Sequence, residues 1–344
     1  SMDVAGKALE LAGDKNFLEE KARAQKIIAD ALYYQTNYLQ AIEYYKASAE
    51  TEKELHGEWS ENYQNRLGDV GFCYNELAIY NKAIEYYNMA LEIARKRNDR
   101  EEMGTNLNNL GQSYYAQGDF SKAITYFDQT LQIDRERQID EYISIDLNNI
   151  GKVYFTWGKY DQALEYYFEA LDKAVAVGNE HMQAIRNSNI GQVYLAVNDY
   201  ENALKQFNIA LDLDRKLGNT GKLGIRYSHI GMLHLRKGQY NKAQEYFLNA
   251  IRIFESQNMT SSRVITLNHL GDLMKGKNDY TRALGYYQQS LSISEKAGMK
   301  AEMLRNLKSI SEIYQKMADY QKAFEFLTRH SILKDTVFNE EKYR

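Results

Sequence analysis

Five polar residues, Asn108, Asn148, Ser188, Ser228 and Asn268, follow one another at intervals of 40 residues. Two further columns keep the same interval: Gln112, Lys152 and Gln192 stand four residues downstream of the first column, and Tyr115, Phe155 and Leu195 three residues beyond those. Side-chain amides carry donors and acceptors that can pair with an extended backbone, while large apolar groups beside them can take alternate side chains. The chemistry this pattern suits is non-covalent recognition of an extended peptide or protein segment. A flanking ladder, Asn109, Asn149, Asn189, His229 and His269, admits two uses: ligand contact, or hydrogen bonding between neighbouring helices. The charges close to these columns, Lys152, Arg236, Asp272 and Glu312, are mixed and leave the charge of the partner open.

Other chemistries find less support. His229 and His269 are equivalent points of successive repeats, and packed helix pairs lie about 10 Å apart, too far for one ion with ligands at ~2 Å. His234 is five residues from His229, and His56, His181 and His330 are isolated, so no metal is expected. Cys73 is the single cysteine, which excludes an internal disulfide and reads as a packing residue. Neither a glycine-rich phosphate loop nor a nucleophile elbow nor a His-Glu helix signature is present. The expectation is a non-enzymatic chain without cofactor. A net charge of −4, with acids and bases interspersed and no basic stripe, argues against nucleic acid. No stretch is apolar for long enough to span a membrane, so direct membrane contact is not expected.

The elements that must carry these columns are set by glycine. Gly71, Gly111, Gly151, Gly191, Gly231 and Gly271 lie on one 40-residue lattice, with Ser311 at the next point and Ala29 opening a variant unit two residues longer. Ala83, Ala123, Ala163, Ala203, Ala243, Ala283 and Ala323 follow each point by twelve residues. Within a unit, Leu107, Leu110, Gly111 and Tyr114 have the spacing of one helical face, and Ala123, Tyr126, Phe127, Thr130 and Leu131 mark a second helix. Gly118-Asp119, Asn98-Asp99 and Asn278-Asp279 supply a left-handed stop followed by a helix cap. The glycine lets the two helices approach, the alanine faces the same seam, and aromatics fill the wedge beside it. Ile145, Ile185, Ile225 and Ile265 form another series, read as packing between repeats. The prediction is an all-α, right-handed solenoid of about eight antiparallel helix pairs, with lattice points near 29, 71, 111, 151, 191, 231, 271 and 311, spanning 1–344 as one domain.

The strings Asn109-Leu110-Gly111-Gln112-Ser113-Tyr114-Tyr115 and Asn149-Ile150-Gly151-Lys152-Val153-Tyr154-Phe155 resemble tetratricopeptide repeats. Two departures set the chain apart: that repeat has ~34 residues and a proline near its end, whereas here the period is 40 and proline is absent. The longer unit is similar to repeats of kinesin light chains and of bacterial peptide-sensing regulators. The resemblance implies that the first helix of each pair lines a concave groove. It thereby assigns Asn108, Gln112, Tyr115, Asn148, Lys152, Phe155, Ser188, Gln192, Leu195, Ser228 and Asn268 to peptide contact.

The ends extend this expectation. Ser1-Met2 reads as the scar of a removed tag, and Lys7 to Asp14 resembles the end of a second helix, as if the chain started within a repeat. At 328–344, Ile332 to Lys342 continues the last helix as a cap or linker, similar to the segment joining such arrays to a coiled coil in Bacteroidetes-type signalling proteins. The resulting expectation is the input region of a larger bacterial signal-transduction protein; the alternative is a freestanding scaffold that assembles a complex. The sequence admits a homo-oligomer and either a cytoplasmic or a periplasmic location.

Overall fold

The backbone turns that end the helices recur with the repeat, apart from the one at Gly57. The computed structural model describes residues 17–342; the segments at Ser1-Met2 and Lys7 to Asp14 lie outside them. Among the described residues there are sixteen helices and no strand. They divide into two compact units, 1–177 and 178–344.

The first unit holds α1 (Leu18–Tyr34), α2 (Tyr38–His56), α3 (Glu61–Glu76), α4 (Tyr80–Arg97), α5 (Arg100–Gln117), α6 (Phe120–Arg137), α7 (Asp140–Thr156) and α8 (Tyr160–Ala176). The second holds α9 (Glu180–Ala196), α10 (Tyr200–Lys216), α11 (Thr220–Arg236), α12 (Tyr240–Ser256), α13 (Thr260–Gly276), α14 (Tyr280–Lys296), α15 (Lys300–Lys316) and α16 (Tyr320–Lys342). Within each unit every helix packs on the next in sequence. In the second unit, α9 also touches α11, α11 touches α13 and α13 touches α15, so the first helices of successive pairs lie side by side. The last helix runs unbroken through Ile332 to Lys342.

The stops are left-handed residues: Asn98 at φ 54°, Gly118 at 80°, Gly158 at 78° and Asn278 at 59°. Each lets the next N–H return to a carbonyl five residues back, as Asp119 N to Tyr114 O at 2.9 Å, which satisfies a backbone group the helix end would otherwise orphan. Gln138 at φ 57° and Ala318 at 59° make the same turn without the residue types that favour it. Asp99 then caps α5 by accepting from Glu102 N at 3.1 Å, and Asp119 caps α6 through Lys122 N at 3.1 Å.

The seam carries one correction. The group facing each lattice glycine is the aromatic ring sixteen residues on, rather than the alanine at twelve. A Cβ on Gly111 would stand 2.7 Å from Phe127 Cε1, and one on Gly231 2.7 Å from Phe247 Cδ1. The alanines are buried in the same seam, with Ala83, Ala123, Ala203, Ala243 and Ala283 in the apolar clusters that hold these rings. Ser311 is accommodated because Leu327 stands where the ring would be, and its hydroxyl donates to Ala323 O at 2.8 Å.

Candidate functional site

The first helices α5 and α7 carry a recess that gathers four of the residues singled out by spacing, Gln112, Tyr115, Asn149 and Lys152. Gln112, Tyr115 and Ala116 from α5, Asn149, Lys152 and Val153 from α7, and Asn75 and Phe127 behind them enclose about 230 Å³. α5 and α7 bring equivalent faces together because they occupy the same place in successive repeats. Lys152 Nζ stands 4.7 Å from the centre of the Tyr115 ring, close enough for a cation–π contact. The Tyr115 hydroxyl shares a hydrogen bond of 2.9 Å with Thr156 Oγ1, which fixes the ring on the recess wall. Gln112 and Lys152 are exposed, while Tyr115 and Phe155 are half-buried. Phe155 lies 5.9 Å from the ring of Tyr160.

The polar column and the ladder meet at one bond: Asn149 Nδ2 donates to Asn108 Oδ1 at 3.1 Å. Asn108 itself lines a neighbouring cavity, so one amide pair separates two recesses on the same two helices. Asn109 and Asn148 are half-buried beside them. Here the two uses of the ladder are not exclusive, since a bond that ties α5 to α7 also forms the wall of the recess.

In the second unit the column turns inward, and three expectations need correction. Ser188 is 1% exposed, accepts from Arg226 Nη1 at 2.8 Å and pairs with His229 Nδ1 at 3.2 Å. Ser228 is buried against Thr266 Oγ1 at 3.2 Å. Asn268, fully buried, donates to Glu302 Oε2 at 2.7 Å. These three hold neighbouring helices together and present nothing to a ligand. Gln192 donates to Asn189 Oδ1 at 3.4 Å, and both are half-buried. Leu195 packs on the cluster of Ala203, Phe207, Leu211, Ile230 and Leu233.

The histidines of the ladder also serve packing. His229 lies 5.4 Å from Phe207 and His269 5.5 Å from Phe247, ring centre to ring centre. Burial, then the charges of Arg226 and His269, push His229 down to about 3. Burial and Arg305 push His269 down to about 4, against the opposing pull of Asp272. Both are neutral at pH 7. Among the described residues no group of three His, Cys, Asp or Glu is placed to hold a metal, and no helix is long and apolar enough to cross a membrane.

The periodic reading missed a buried polar column five residues before each lattice point: Arg66, Asn106, Asp146, Arg186, Arg226, Thr266 and Asn306. Their signal was available, because each precedes the buried residue next to the lattice point by four and therefore shares its helical face. Ile145 and Ile265, expected as packing, are 39% and 38% exposed.

A profile described as tetratricopeptide repeat matches residues 64–136, 102–174, 142–216, 181–256 and 223–296. It describes a helical repeat, and no enzymatic family is indicated. No curated protein matches the sequence. Among solved structures, aspartyl phosphate phosphatase F from Bacillus subtilis is 16% identical with a TM-score of 0.67, over 97% of this chain and 94% of that one. A signal transduction ATPase with numerous domains and a tetratricopeptide repeat sensor, from Pyrococcus horikoshii, is 19% identical with a TM-score of 0.63; the match covers 87% of this chain and 49% of that one. The Rap conjugation gene regulator of plasmid pLS20 in complex with the Phr* peptide is 18% identical, TM-score 0.55, over 94% and 76%. At these identities the likeness is one of fold.

Proposed function

Since the chain belongs to the tetratricopeptide repeat family, we propose that it is a non-enzymatic module that binds an extended peptide or protein segment, as the input region of a larger bacterial signalling protein. The observation that carries this reading is the recess on α5 and α7, where Gln112, Tyr115, Asn149 and Lys152 converge. Exposed amide and ammonium donors stand there beside an aromatic wall, which suits a backbone with alternating side chains. Two likenesses add support: a similar fold was solved with a peptide, and another serves as a repeat sensor within a larger protein. The unbroken helix α16 offers a route by which a change in repeat packing would reach a following domain.

The test screens a library of random heptapeptides against the full chain and measures the enriched sequences by calorimetry. Replacing the exposed Gln112 and Lys152 together by Ala is expected to weaken binding at least tenfold, with helicity and melting unchanged. Binding unaffected by that pair of changes would place the site elsewhere, and a library from which nothing is enriched would overturn the reading.

A further inference from the structure

In two repeats a residue near the end of a second helix, 23 after one lattice point, meets one on the next first helix, five before the next lattice point. In the second unit this site is closed by an ion pair: Arg226 Nε donates to Asp214 Oδ2 at 3.0 Å, with the two side chains 5% and 0% exposed. The equivalent pair in the first unit is Asp134 on α6 and Asp146 on α7, two buried carboxyl groups in contact and no guanidinium between them. Asp134 accepts from Arg137 Nη1 at 3.1 Å, and the other arm of Arg137 reaches Glu101 at 3.1 Å. Asp134 and Glu101 therefore share one cation, while the charge facing Asp146 is the Asp134 carboxyl. Asp146, only 3% exposed, has its Oδ2 buried with no hydrogen-bond partner.

Beside this pair lies a cavity of about 250 Å³, lined also by Gly104, Asn108, Tyr142 and Ile145. That is below the ~300–1,000 Å³ of small-molecule sites and fits a single inserted side chain. The space has a clear origin. The equivalent of Gly104 in the second unit is Gly224, where Phe254 presses so close that a Cβ would meet its ring at 2.7 Å. At Gly104 the nearest atom to such a Cβ is Thr130 Cγ2, at 3.9 Å. Tyr142 and Ile145, 40% and 39% exposed, form an apolar rim above the acids.

Resting on the peptide-binding reading, we infer that this cavity receives the guanidinium of an arginine in the bound peptide, in the place Arg226 occupies within the later repeat. Its planar fork can bridge Asp134 and Asp146, while the rim takes the aliphatic stem. Asn108 lines this cavity and bonds Asn149 of the adjoining recess, so one extended chain can occupy both. The charged and titratable groups facing the arginine are Glu101 from α5, Asp134 and Arg137 from α6, and Tyr142 and Asp146 from α7. Burial and the neighbouring Asp134 raise Asp146 to about 8. Burial raises Asp134 as well, and at pH 7 the pair of carboxyl groups holds a proton that an entering guanidinium displaces to solvent.

The experiment uses the heptapeptides enriched on the full chain. Arginine is expected at one fixed position, and citrulline there, which keeps the shape and removes the charge, should weaken binding roughly 30-fold. Calorimetry in buffers of different ionisation enthalpy should show about one proton released near pH 7. Asp146→Asn should abolish that release, and Asp146→Arg, which copies the Asp214–Arg226 arrangement, should erase the preference for arginine over citrulline while leaving the chain folded. Enriched peptides with no fixed basic position, or equal affinity for the citrulline peptide, would overturn the inference and leave peptide binding intact. A library that yields no binder overturns both.

Discussion

The ring of Tyr167 occupies the space that a side chain at Gly151 would need: a Cβ there would stand 2.7 Å from its Cδ1 and 2.8 Å from its Cε1. Tyr167 is 2% exposed and has no room to withdraw. The same relation between lattice glycine and downstream ring holds in the six repeats from Gly71 to Gly271, so glycine recurs because an aromatic knob is seated on it.

Gly151→Ala is therefore expected to destabilise. Overpacking costs about 1–3 kcal/mol and outweighs the roughly 0.5–1 kcal/mol gained by removing glycine from a helix interior. Gly104→Ala should have the opposite sign, gaining up to about 1 kcal/mol, because nothing stands closer than 3.9 Å to the added carbon. Urea midpoints of the two variants decide the matter: equal shifts would mean that the rings do not set the glycine pattern.

The helices, their pairing and their stops were legible because all three repeat, and a period of 40 leaves a readable mark in Gly71 to Ser311. What periodicity does not encode is which flank of a first helix meets its neighbour. Asn108 and Ser188 occupy equivalent points, yet Asn108 borders a cavity and Ser188 lies beneath Arg226. The difference comes from a side chain 38 residues away in sequence, on the next first helix. The aromatic partner of each glycine was hidden for a similar reason, since it sits on the second helix and is found only when the pair closes.

The buried ion pair of Asp214 and Arg226 should behave asymmetrically. Arg226 also donates to Ser188, and Asp214 accepts from Asn219 Nδ2 at 3.2 Å, so both ions are well solvated by protein. Removing one partner strands the other in a dry site. Arg226→Met is expected to cost about 3–5 kcal/mol, whereas Arg226→Met with Asp214→Leu should lie close to neutral. A double-mutant cycle read by denaturant unfolding measures the coupling, and additive losses would refute it.

Cys73 is 1% exposed, and burial, followed by the charges of Asp69, Glu76 and Asp30, pushes its thiol up to about 12. A thiol kept protonated and out of reach is a poor nucleophile. Disulfide reagents at pH 8 should leave the native chain untouched and modify one thiol per chain in denaturant. Rapid labelling of the native chain would place Cys73 at the surface.

Asp146 and His229 should tilt the pH profile of stability in opposite windows. Burial and then Asp134 raise Asp146 to about 8 from an ordinary 3.8. Across that interval the folded state holds a proton the unfolded chain has lost, so the stability it contributes is present below about 4 and disappears as pH rises through 8. His229 is lowered from 6.5 to about 3, first by burial. Below 6.5 the unfolded chain takes up a proton that the folded state refuses, so stability falls as pH drops from 6.5 towards 3. Asp146→Asn should gain on the parent chain between pH 5 and 8. His229→Asn, a residue already standing at the equivalent points 109, 149 and 189, should gain on it between pH 6.5 and 5. Each slope is bounded by about 1.4 kcal/mol per pH unit for one proton. Melting temperatures at pH 5, 6.5 and 8 test both, and a variant that tracks the parent across its window would show that the side chain titrates as it does in the unfolded chain.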